Sequence, residues 1–356
     1  MEKLLMKGNE AIGEAALKVG CRFFFGYPIT PQNELPAYMA RRMPEVGGTY
    51  LQAESELAAI NMVYGAAGTG ARVMTSSSSP GISLKQEGIS YLAGAELPCV
   101  IVNIVRCGPG LGGILASQGD YFQATRGGGH GDYRLIVLAP TSVQEMAELT
   151  ALAFELSDKY RNPAMVLADA ILGQMMEPVR LGDLKAKEPS KPWATTGAQG
   201  RTPNIINSLE IVPELLETHN RKLQDKYARM ERTEIRWEGY RLEGAKIIVA
   251  AYGVTARIVR SAVAQAREES IPVGLFRPIT LYPFPTGHLS ALTREAARCL
   301  VVEMSAGQMV DDVRLAVEGR CPVEFYGRMG GMVPTPREIL GVIRQMAVSL
   351  QGGTSA

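Results

Sequence analysis

Two carboxylates, separated by one residue, stand where the sequence predicts the start of a helix. Glu54 and Glu56 precede a run, residues 57–67, in which apolar side chains recur at helical spacing. The helix dipole favours an ionised carboxylate at that point, whereas removal from water favours the neutral form. A glutamate placed there can therefore share a proton with a bound ligand near neutral pH. The alternative, that both acids only satisfy the helix dipole, stays open on this stretch alone.

A guanidinium and two polar loops are predicted to lie at one edge of a sheet. Arg106 ends an apolar run, residues 98–106, that is typical of a strand covered on both faces. Thr30 lies in the loop YPITP, whose prolines restrict the backbone, and the serines at 76–79 follow another strand. Because ligands gather at the carboxyl ends of parallel strands, these groups could together bind a carboxylate. The alternatives are a surface arginine and an ordinary connecting loop.

Three glycines within residues 108–113 match the GxGxxG pattern of dinucleotide sites. Pro109 lies inside the match, no amphipathic helix follows, and no strand ends in an acid about 20 residues later, so we do not expect a dinucleotide there. Residues 117–133 instead read as a Gly-rich, aromatic loop of the length usual for lids or binding surfaces. His130, within this loop, could act as a general acid or contact a ligand, or it could lie in solvent or at an interface.

Strands and helices alternate along the chain, which predicts an α/β protein with two open, mostly parallel sheets and helices on both faces. The predicted domains span residues 1–235 and 240–350, and the Pro-, Lys- and Glu-rich stretch 178–244 connects them. The helix that begins near Glu56 carries no Lys or Arg and is predicted to be buried against a sheet or a second chain. Predicted strands cover residues 22–27, 49–53, 72–75, 98–106, 133–139, 164–170, 246–252, 271–276, 299–304 and 323–326. Further predicted helices cover residues 9–19, 33–43, 83–93, 143–159, 208–231, 256–269 and 308–319. Predicted turns or loops cover residues 76–81 and 277–285.

Composition narrows the class of protein. The 356 residues contain 37 Lys and Arg against 36 Asp and Glu, which suggests neither a nucleic acid nor a membrane surface as a partner. No segment has the roughly 18 apolar residues that a membrane span needs, and MEKLLMKGNE lacks the apolar core of a signal peptide, so we expect a cytoplasmic protein. The five cysteines are widely spaced and form no CxxC, which predicts reduced, buried thiols and neither an iron-sulfur cluster nor a structural zinc.

Five motifs together resemble the α subunits of 2-oxoacid:ferredoxin oxidoreductases. They are GYPITP at 26–31, QAESELAAINMVYGAA at 52–67, SPGISLKQEG at 79–88, the strand that ends in Arg106, and RPITLYPFP at 277–285. The details are most similar to the branched-chain (2-oxoisovalerate) members, followed by the 2-oxoglutarate enzymes. The resemblance implies a thiamin-diphosphate pyrimidine domain followed by a transketolase C-terminal-like domain. It also implies oxidative decarboxylation of a 2-oxoacid with CoA to acyl-CoA and carbon dioxide, with electrons passed to ferredoxin.

The resemblance also implies roles for individual residues. The family's acid against the cofactor aminopyrimidine falls on Glu56, a cofactor contact on Ile29, the substrate-contacting threonine on Thr30 and the substrate-carboxylate arginine on Arg106. A glutamate bonded to the pyrimidine N1′ favours the imino tautomer, whose 4′ nitrogen can remove the thiazolium C2 proton. The guanidinium presents a planar fork to a carboxylate. Further residues of the predicted active-site loops are Ser78, Ser79 and His130.

The family's diphosphate-binding GDG motif followed by Asn is missing from this sequence. The resemblance therefore implies a separate β subunit that holds the diphosphate of thiamin diphosphate and its Mg²⁺. It further implies γ and ferredoxin-like δ subunits, [4Fe-4S] clusters on those other subunits, and activity only in the complex. Two rival functions remain. One is the β chain of a lipoamide-linked 2-oxoacid dehydrogenase, against which YPITP argues; the other is a non-catalytic dinucleotide-binding module that rests on residues 108–113 alone.

Overall fold

The computed structural model describes residues 3–352. The chain forms fourteen strands and twelve α-helices within that range. The strands are β1 (Leu4–Lys7), β2 (Phe23–Gly26), β3 (Thr49–Gln52), β4 (Val73–Ser77), β5 (Val100–Val105), β6 (Ile136–Leu138), β7 (Ala164–Asp169), β8 (Met176–Val179), β9 (Trp237–Tyr240), β10 (Ile247–Ala250), β11 (Val273–Pro278), β12 (Thr280–Tyr282), β13 (Arg298–Glu303) and β14 (Val323–Gly327). The helices are α1 (Gly8–Lys18), α2 (Glu34–Arg42), α3 (Glu56–Gly68), α4 (Pro80–Gly94), α5 (Tyr121–Arg126), α6 (Val143–Tyr160), α7 (Ala170–Gln174), α8 (Pro213–Thr233), α9 (Gly253–Glu268), α10 (Thr286–Leu292), α11 (Met309–Val317) and α12 (Pro336–Gly352).

The larger sheet has seven strands in the order β12-β6-β7-β5-β4-β2-β3, and only β12 runs antiparallel to its neighbour. Every residue of its central strands β4, β5 and β7 is buried. Such continuous burial is what helices on both faces of a parallel sheet produce, and it explains the apolar runs in the sequence. The predicted fold class, open and mostly parallel sheets with helices on both faces, is confirmed.

The smaller of the two main sheets has five strands in the order β14-β13-β10-β11-β9, with β9 antiparallel at its edge, and β1 and β8 form a separate antiparallel pair. Residues 237–240, which lie mostly between the two predicted domains, form β9 and so belong to this sheet. The predicted division of the chain between residues 235 and 240 stays a prediction. Strand β12 belongs to the second predicted domain by sequence but joins the sheet of the first. Its residues follow β11 directly in sequence, yet β12 pairs with β6 of the larger sheet.

Gln118 joins the two sheets through three buried hydrogen bonds of one amide. Its Nε2 donates to the carbonyl of Tyr252 at 2.9 Å, and its Oε1 accepts from Met304 N at 2.9 Å and from Thr255 Oγ1 at 2.8 Å. The Gln118 side chain lies in the loop after β5, whereas its three partners lie in the part of the chain that forms the smaller sheet. The loops at the carboxyl edge of the larger sheet are therefore held against the second unit.

Arg277, at the end of β11, forms a second connection between the two parts. It is 2% exposed and donates to both oxygens of Glu145 at 3.0 and 2.7 Å and to Glu238 at 2.8 Å. Arg277→Lys keeps the charge but loses the fork, so we expect it to lower the free energy of unfolding by about 1 kcal/mol. Thermal unfolding would measure this as a fall in Tm of about 1–2 °C.

The matched control is Arg260→Lys, because Arg260 reaches the same Glu238 at 3.0 Å from a side chain that is 53% exposed. We expect that change to stay within about 0.5 kcal/mol. Equal effects of the two substitutions would contradict the role given to Arg277.

Three predicted features differ from the structure. Ser76 and Ser77 extend β4, and Pro80 with Gly81 opens α4, so the predicted turn is reduced to two residues. Proline is tolerated there because the first helical N–H needs no partner. The Gly-rich loop at 117–133 contains the helix α5, and the predicted loop at 277–285 contains the end of β11 and all of β12. Helix α3 buries one face within this chain and leaves Leu57 48% exposed, with Asn61 and Gly65 exposed on the same side, so its burial against a second chain stays a prediction.

All five cysteines are free and buried, as predicted. Burial raises the pKa of the thiols of Cys21, Cys99, Cys299 and Cys321. No helix within residues 3–352 is both long and apolar enough to cross a membrane.

Candidate active site

Four neighbouring parallel strands, β3, β2, β4 and β5, bring the predicted residues to one edge of the larger sheet. The loop after β2 carries Ile29 and Thr30, and β3 leads into Glu56. Ser78 and Ser79 follow β4, and Arg106 follows β5. Adjacent parallel strands end on the same side of a sheet, so groups far apart in sequence become neighbours.

Glu56 is the first residue of α3 and is 6% exposed. Ser55 caps the helix, because its Oγ accepts a hydrogen bond of 3.1 Å from Ala58 N. The Glu56 carboxylate accepts no hydrogen bond from any residue that the structure describes, although it lies at the positive end of the helix. Glu54 is exposed. Of the two acids, Glu56 is therefore the one placed to meet a buried ligand.

The first turn of α4 packs directly against Glu56. A Cβ atom at Gly81 would overlap Ser77 Oγ and would lie 2.6 Å from Glu56 Oε1, so only glycine fits at this position. Next to it, the hydroxyls of Ser77 and Ser78 are buried without a hydrogen-bond partner. Unpaired polar groups are rare in protein interiors, and here two accompany an unpaired carboxylate. The carboxylate and the two hydroxyls thus keep unused hydrogen-bonding capacity at one place.

Ser79 connects this turn to Arg106. Its Oγ accepts from Arg106 N at 3.0 Å, and its backbone N donates to Asn103 Oδ1 at 3.1 Å. Ser79 has φ 24° and ψ −82°, an uncommon conformation for a residue other than glycine. Asn103 Nδ2 donates to Asp120 at 2.8 Å, and burial raises the pKa of the Asp120 carboxyl despite hydrogen bonds from Asn103 and Ser79. The hydrogen bonds among Ser79, Asn103 and Asp120 thus fix the backbone from which the Arg106 side chain extends.

The guanidinium of Arg106 reaches the YPITP loop. Its Nη1 donates to the carbonyl of Thr30 and its Nη2 to the carbonyl of Leu111, both at 3.1 Å, while its buried Nε has no partner. Of five N–H donors, three thus have no partner in the described chain. Thr30 is exposed, and its Oγ1 accepts from Asn33 Nδ2 at 3.3 Å. The structure thus brings Arg106 and Thr30 into contact, as their predicted shared role requires.

A cavity of about 620 Å³ opens beside Arg106 and extends to the second unit. Arg106 is the only Lys or Arg among its lining residues, and Asp120 is the only acid. Its apolar wall includes Leu111, Met304 and Met329. The cavity can therefore take one carboxylate at one end and an apolar group next to it.

His130 lies apart from this cavity. Residues 128 and 129 pack on the later turns of α4, where Gly128 N donates to Gln86 Oε1 at 3.1 Å. His130 itself is exposed and lines a different cavity, together with Tyr91 and His219. The structure therefore does not bring His130 to Glu56 or Arg106. The loop that carries His130 packs against the later turns of α4, whereas the candidate site lies at the first turn of that helix.

Sequence reasoning did not single out three further residues of the site: Lys85, Asn103 and Asp120. A signal existed for two of them, because Asn103 interrupts an otherwise apolar strand and Lys85 is the only cation in the helix SPGISLKQEG. Lys85 is completely buried, and burial lowers its pKa to about 7. The glycines at 108–113 form a loop that reaches no helix before α5, so they lack the strand-to-helix turn of a dinucleotide site.

Two family models match the chain. The model described as pyruvate flavodoxin/ferredoxin oxidoreductase, thiamine diphosphate-binding, covers residues 14–236, and that described as pyruvate:ferredoxin oxidoreductase core domain II covers residues 245–339. The chain is 53% identical to the ketoisovalerate oxidoreductase subunit VorB of Methanothermobacter thermautotrophicus, over 98% of this chain and 99% of that protein. It is 39% identical to the 2-oxoglutarate synthase subunit KorA of Methanocaldococcus jannaschii, over 95% and 98%.

A solved structure of similar fold is the 2-oxoglutarate:ferredoxin oxidoreductase from Magnetococcus marinus with 2-oxoglutarate, coenzyme A and succinyl-CoA bound. It matches with a TM-score of 0.87 and 28% identity, over 97% of this chain. This chain spans 65% of the length of that one.

The thiamine-diphosphate-binding match spans more than half of the chain and contains every strand that delivers a candidate site residue. The fold and this family match thus define an oxidoreductase subunit of the thiamin-diphosphate class. The chain belongs to the 2-oxoacid:ferredoxin oxidoreductase family, which confirms the resemblance seen in the sequence. Membership replaces both rival functions, the lipoamide-linked dehydrogenase chain and the dinucleotide-binding module.

Proposed function

We propose that this chain supplies the pyrimidine side of the active site in a complex that oxidises a branched-chain 2-oxoacid with CoA to acyl-CoA and carbon dioxide, with ferredoxin as electron acceptor. The observation that carries the proposal is the unpaired Glu56 carboxylate beside the unpaired Ser77 and Ser78 hydroxyls, one strand from the free N–H groups of Arg106. These groups match the two ends of such a reaction, a proton-sharing cofactor ring and a substrate carboxylate.

The residues fit a bound aminopyrimidine. Glu56 would hold a proton at N1′ of the ring, and Gly81 leaves the space that this contact needs. Ile29, half-buried in the loop after β2, would contact the ring from the side. When bound, thiamin diphosphate supplies the carbanion chemistry of decarboxylation. The chain's own part is to orient the ring, to exchange the N1′ proton and to exclude water.

Arg106 and Thr30 would bind the substrate carboxylate. The three free guanidinium N–H groups include the buried Nε, and a charge-assisted hydrogen bond from such a group contributes about 1.5–3 kcal/mol. Thr30, exposed next to Arg106, adds a hydroxyl donor. Ser79 would contribute indirectly, because its hydrogen bond holds the backbone of Arg106 in place.

The cavity favours an apolar substrate side chain. A second carboxylate, as in 2-oxoglutarate, would need a second cation to offset the cost of its burial, and the lining of this chain offers only Arg106. Leu111, Met304 and Met329 instead provide apolar contacts. The 53% identity to a ketoisovalerate oxidoreductase subunit supports the same choice.

The subunit names of the relatives indicate an enzyme of several subunits. We propose a β subunit that holds the cofactor diphosphate with Mg²⁺, and γ and ferredoxin-like δ subunits that carry the [4Fe-4S] clusters. The uncharged exposed side of α3, with Leu57, Asn61 and Gly65, is a surface that such a neighbouring chain could cover.

The test is dye reduction by the complex reconstituted with its co-purifying subunits. With CoA, thiamin diphosphate and a viologen dye, we expect kcat/KM for 2-oxoisovalerate to exceed that for 2-oxoglutarate by about fivefold or more. The reason is the single cation in the cavity. A preference for 2-oxoglutarate would contradict the substrate assignment, and no dye reduction with any 2-oxoacid would contradict the proposed reaction.

A further inference from the structure

Two side-chain amides hold the loop that carries Thr30. The carbonyl of the buried Pro31 accepts a hydrogen bond from Asn9 Nδ2 at 3.0 Å and another from Gln174 Nε2 at 2.8 Å. Asn9 lies in the first turn of α1 and is completely buried, and Gln174 is the last residue of α7. Two helices from distant parts of the sequence therefore meet at one carbonyl group next to Thr30.

Glu34, the first residue of α2, anchors both amides. Its Oε2 accepts from Asn9 Nδ2 at 2.9 Å and from Gln174 Nε2 at 2.7 Å. Each amide nitrogen thus donates both to the Pro31 carbonyl and to the Glu34 carboxylate. A carbonyl and an ionised carboxylate can only accept, so both amides must turn their nitrogen toward this pair of acceptors. Glu34 therefore determines which way the two amides point.

The amide of Asn9 keeps this orientation at a cost. Its Oδ1 is buried and has no hydrogen-bond partner within residues 3–352, and such an atom is destabilising. The reversed amide would place this oxygen against the oxygens of Pro31 and Glu34 instead. An apolar side chain of similar size would fill the same space without an unpaired oxygen. The amide at this position therefore serves the two N–H bonds that it makes.

The carboxylate of Glu34 is ionised near neutral pH. Lys7 Nζ donates to its Oε1 at 3.1 Å and to Gln174 Oε1 at 3.4 Å. Burial raises the pKa of Glu34, but hydrogen bonds from its own backbone, Lys7, Gln174 and Asn9 outweigh burial and lower the pKa below its ordinary value. Glu34 thus offers only acceptors to the two amides.

We propose that Glu34 is a positioning residue for the substrate carboxylate site. Through the two amides it holds the carbonyl of Pro31, the residue that follows Thr30 in the chain. The inference rests on the proposed contacts of Thr30 and Arg106 with the substrate. The Thr30 carbonyl accepts from Arg106 Nη1 at 3.1 Å, so the amides and the guanidinium hold adjacent residues of one loop. A loop fixed in advance does not have to be ordered when the substrate binds.

The experiment compares the assembled complex with its Glu34→Gln, Thr30→Val and doubly substituted variants. The side chain that Glu34→Gln introduces can donate as well as accept, so it no longer sets the direction of the two amides. We expect it to raise KM for 2-oxoisovalerate about fivefold and to change kcat less than about twofold. In the Thr30→Val background the same substitution should raise KM less than about twofold, because the hydroxyl that Glu34 positions is gone.

Glu14→Gln is the matched control. The Glu14 side chain is 12% exposed and accepts from Tyr38 Oη at 2.8 Å and from Arg42 Nε at 3.3 Å, so it also connects α1 to α2. In the described part of the chain it makes no hydrogen bond to the loop after β2. We expect Glu14→Gln to change KM and kcat less than about twofold.

Hydrogen exchange provides a readout that does not depend on activity. The amide of Gln32 donates to the carbonyl of Ile29 at 3.1 Å within the loop, and its exchange rate reports how often the loop opens. We expect this amide to exchange about tenfold faster in Glu34→Gln and at the parent rate in Glu14→Gln. If Glu34→Gln does not assemble, Gln174→Met removes one of the two donors to Pro31 and should raise both KM and the exchange rate.

The outcomes distinguish the inference from the proposed role of Thr30. If Thr30→Val raises KM while Glu34→Gln changes neither KM nor the exchange rate, the inference is wrong. An equal rise in KM in both backgrounds, or the same rise in Glu14→Gln, would mean that Glu34 only supports the packing of α1 against α2. An unchanged KM in Thr30→Val would instead overturn the role of Thr30, and the inference with it.

Discussion

Glu56→Gln is expected to lower kcat of the assembled enzyme by about 10² to 10⁴, the usual contribution of a positioned acid-base group. Glutamine keeps the size of the side chain and can still hydrogen-bond the ring, but it cannot exchange the N1′ proton. Because Glu56 makes no hydrogen bond within the described chain, its replacement should leave assembly intact. Stopped-flow dye reduction at saturating 2-oxoacid and CoA measures the loss.

Glu54→Gln is the matched control for that experiment. Glu54 is two residues away and carries the same group, but it is exposed. We expect its replacement to change kcat less than about threefold, as for other exposed first-turn acids. Equal losses in the two variants, or a loss confined to Glu54→Gln, would show that the wrong acid has been assigned.

Arg106→Lys is expected to raise KM for the 2-oxoacid about tenfold or more. The ammonium keeps the charge, but it cannot bond the Thr30 and Leu111 carbonyls and also present a fork to a carboxylate. A loss of about 1.4 kcal/mol in binding corresponds to a factor of ten. If the contact is equally strong in the ground and transition states, kcat should change little. A large fall in kcat would mean that Arg106 also orients the acid for reaction.

Steady-state kinetics of Arg106→Lys with the preferred 2-oxoacid provide the measurement, and Arg314→Lys is the control. Arg314 is 56% exposed, and within the described residues its side chain pairs only with Asp311 on the same helix, so its replacement should leave both constants unchanged. Unchanged KM and kcat in Arg106→Lys would remove Arg106 from the substrate site. They would also weaken the choice of Thr30, whose placement beside the substrate depends on the same contact.

The sequence was sufficient to predict those site residues that lie just after the ends of strands. Thr30, Glu56, Ser79 and Arg106 each follow a short strand, and parallel strands that are neighbours must end on one side. The predicted bounds of β3, β7 and α6 agree with the structure to within one or two residues, because apolar runs and the Ser142 cap are local signals.

Other elements could not be predicted because local signals were weak or misleading. Strand β12 is three residues long and pairs with β6, more than 140 residues earlier in the chain. Its Pro-rich surroundings are typical of a loop. In the same way Ser76 and Ser77 are common turn residues, but pairing with β5 holds them in β4.

By itself the sequence determined which chemical groups stand at the strand ends and that they share one edge, since strand direction follows from the alternation of strands and helices. The resemblance in the sequence already pointed to Glu56, but only the tertiary structure shows that this acid faces inward, because the turn of α3 buries Glu56 and exposes Glu54. It also buried Lys85 against β4, joined Asp120 to Asn103, and placed His130 in a different cavity. These placements involve residues on separate helices, strands and loops, so they depend on how one element packs on another. No local pattern of residue types records that packing.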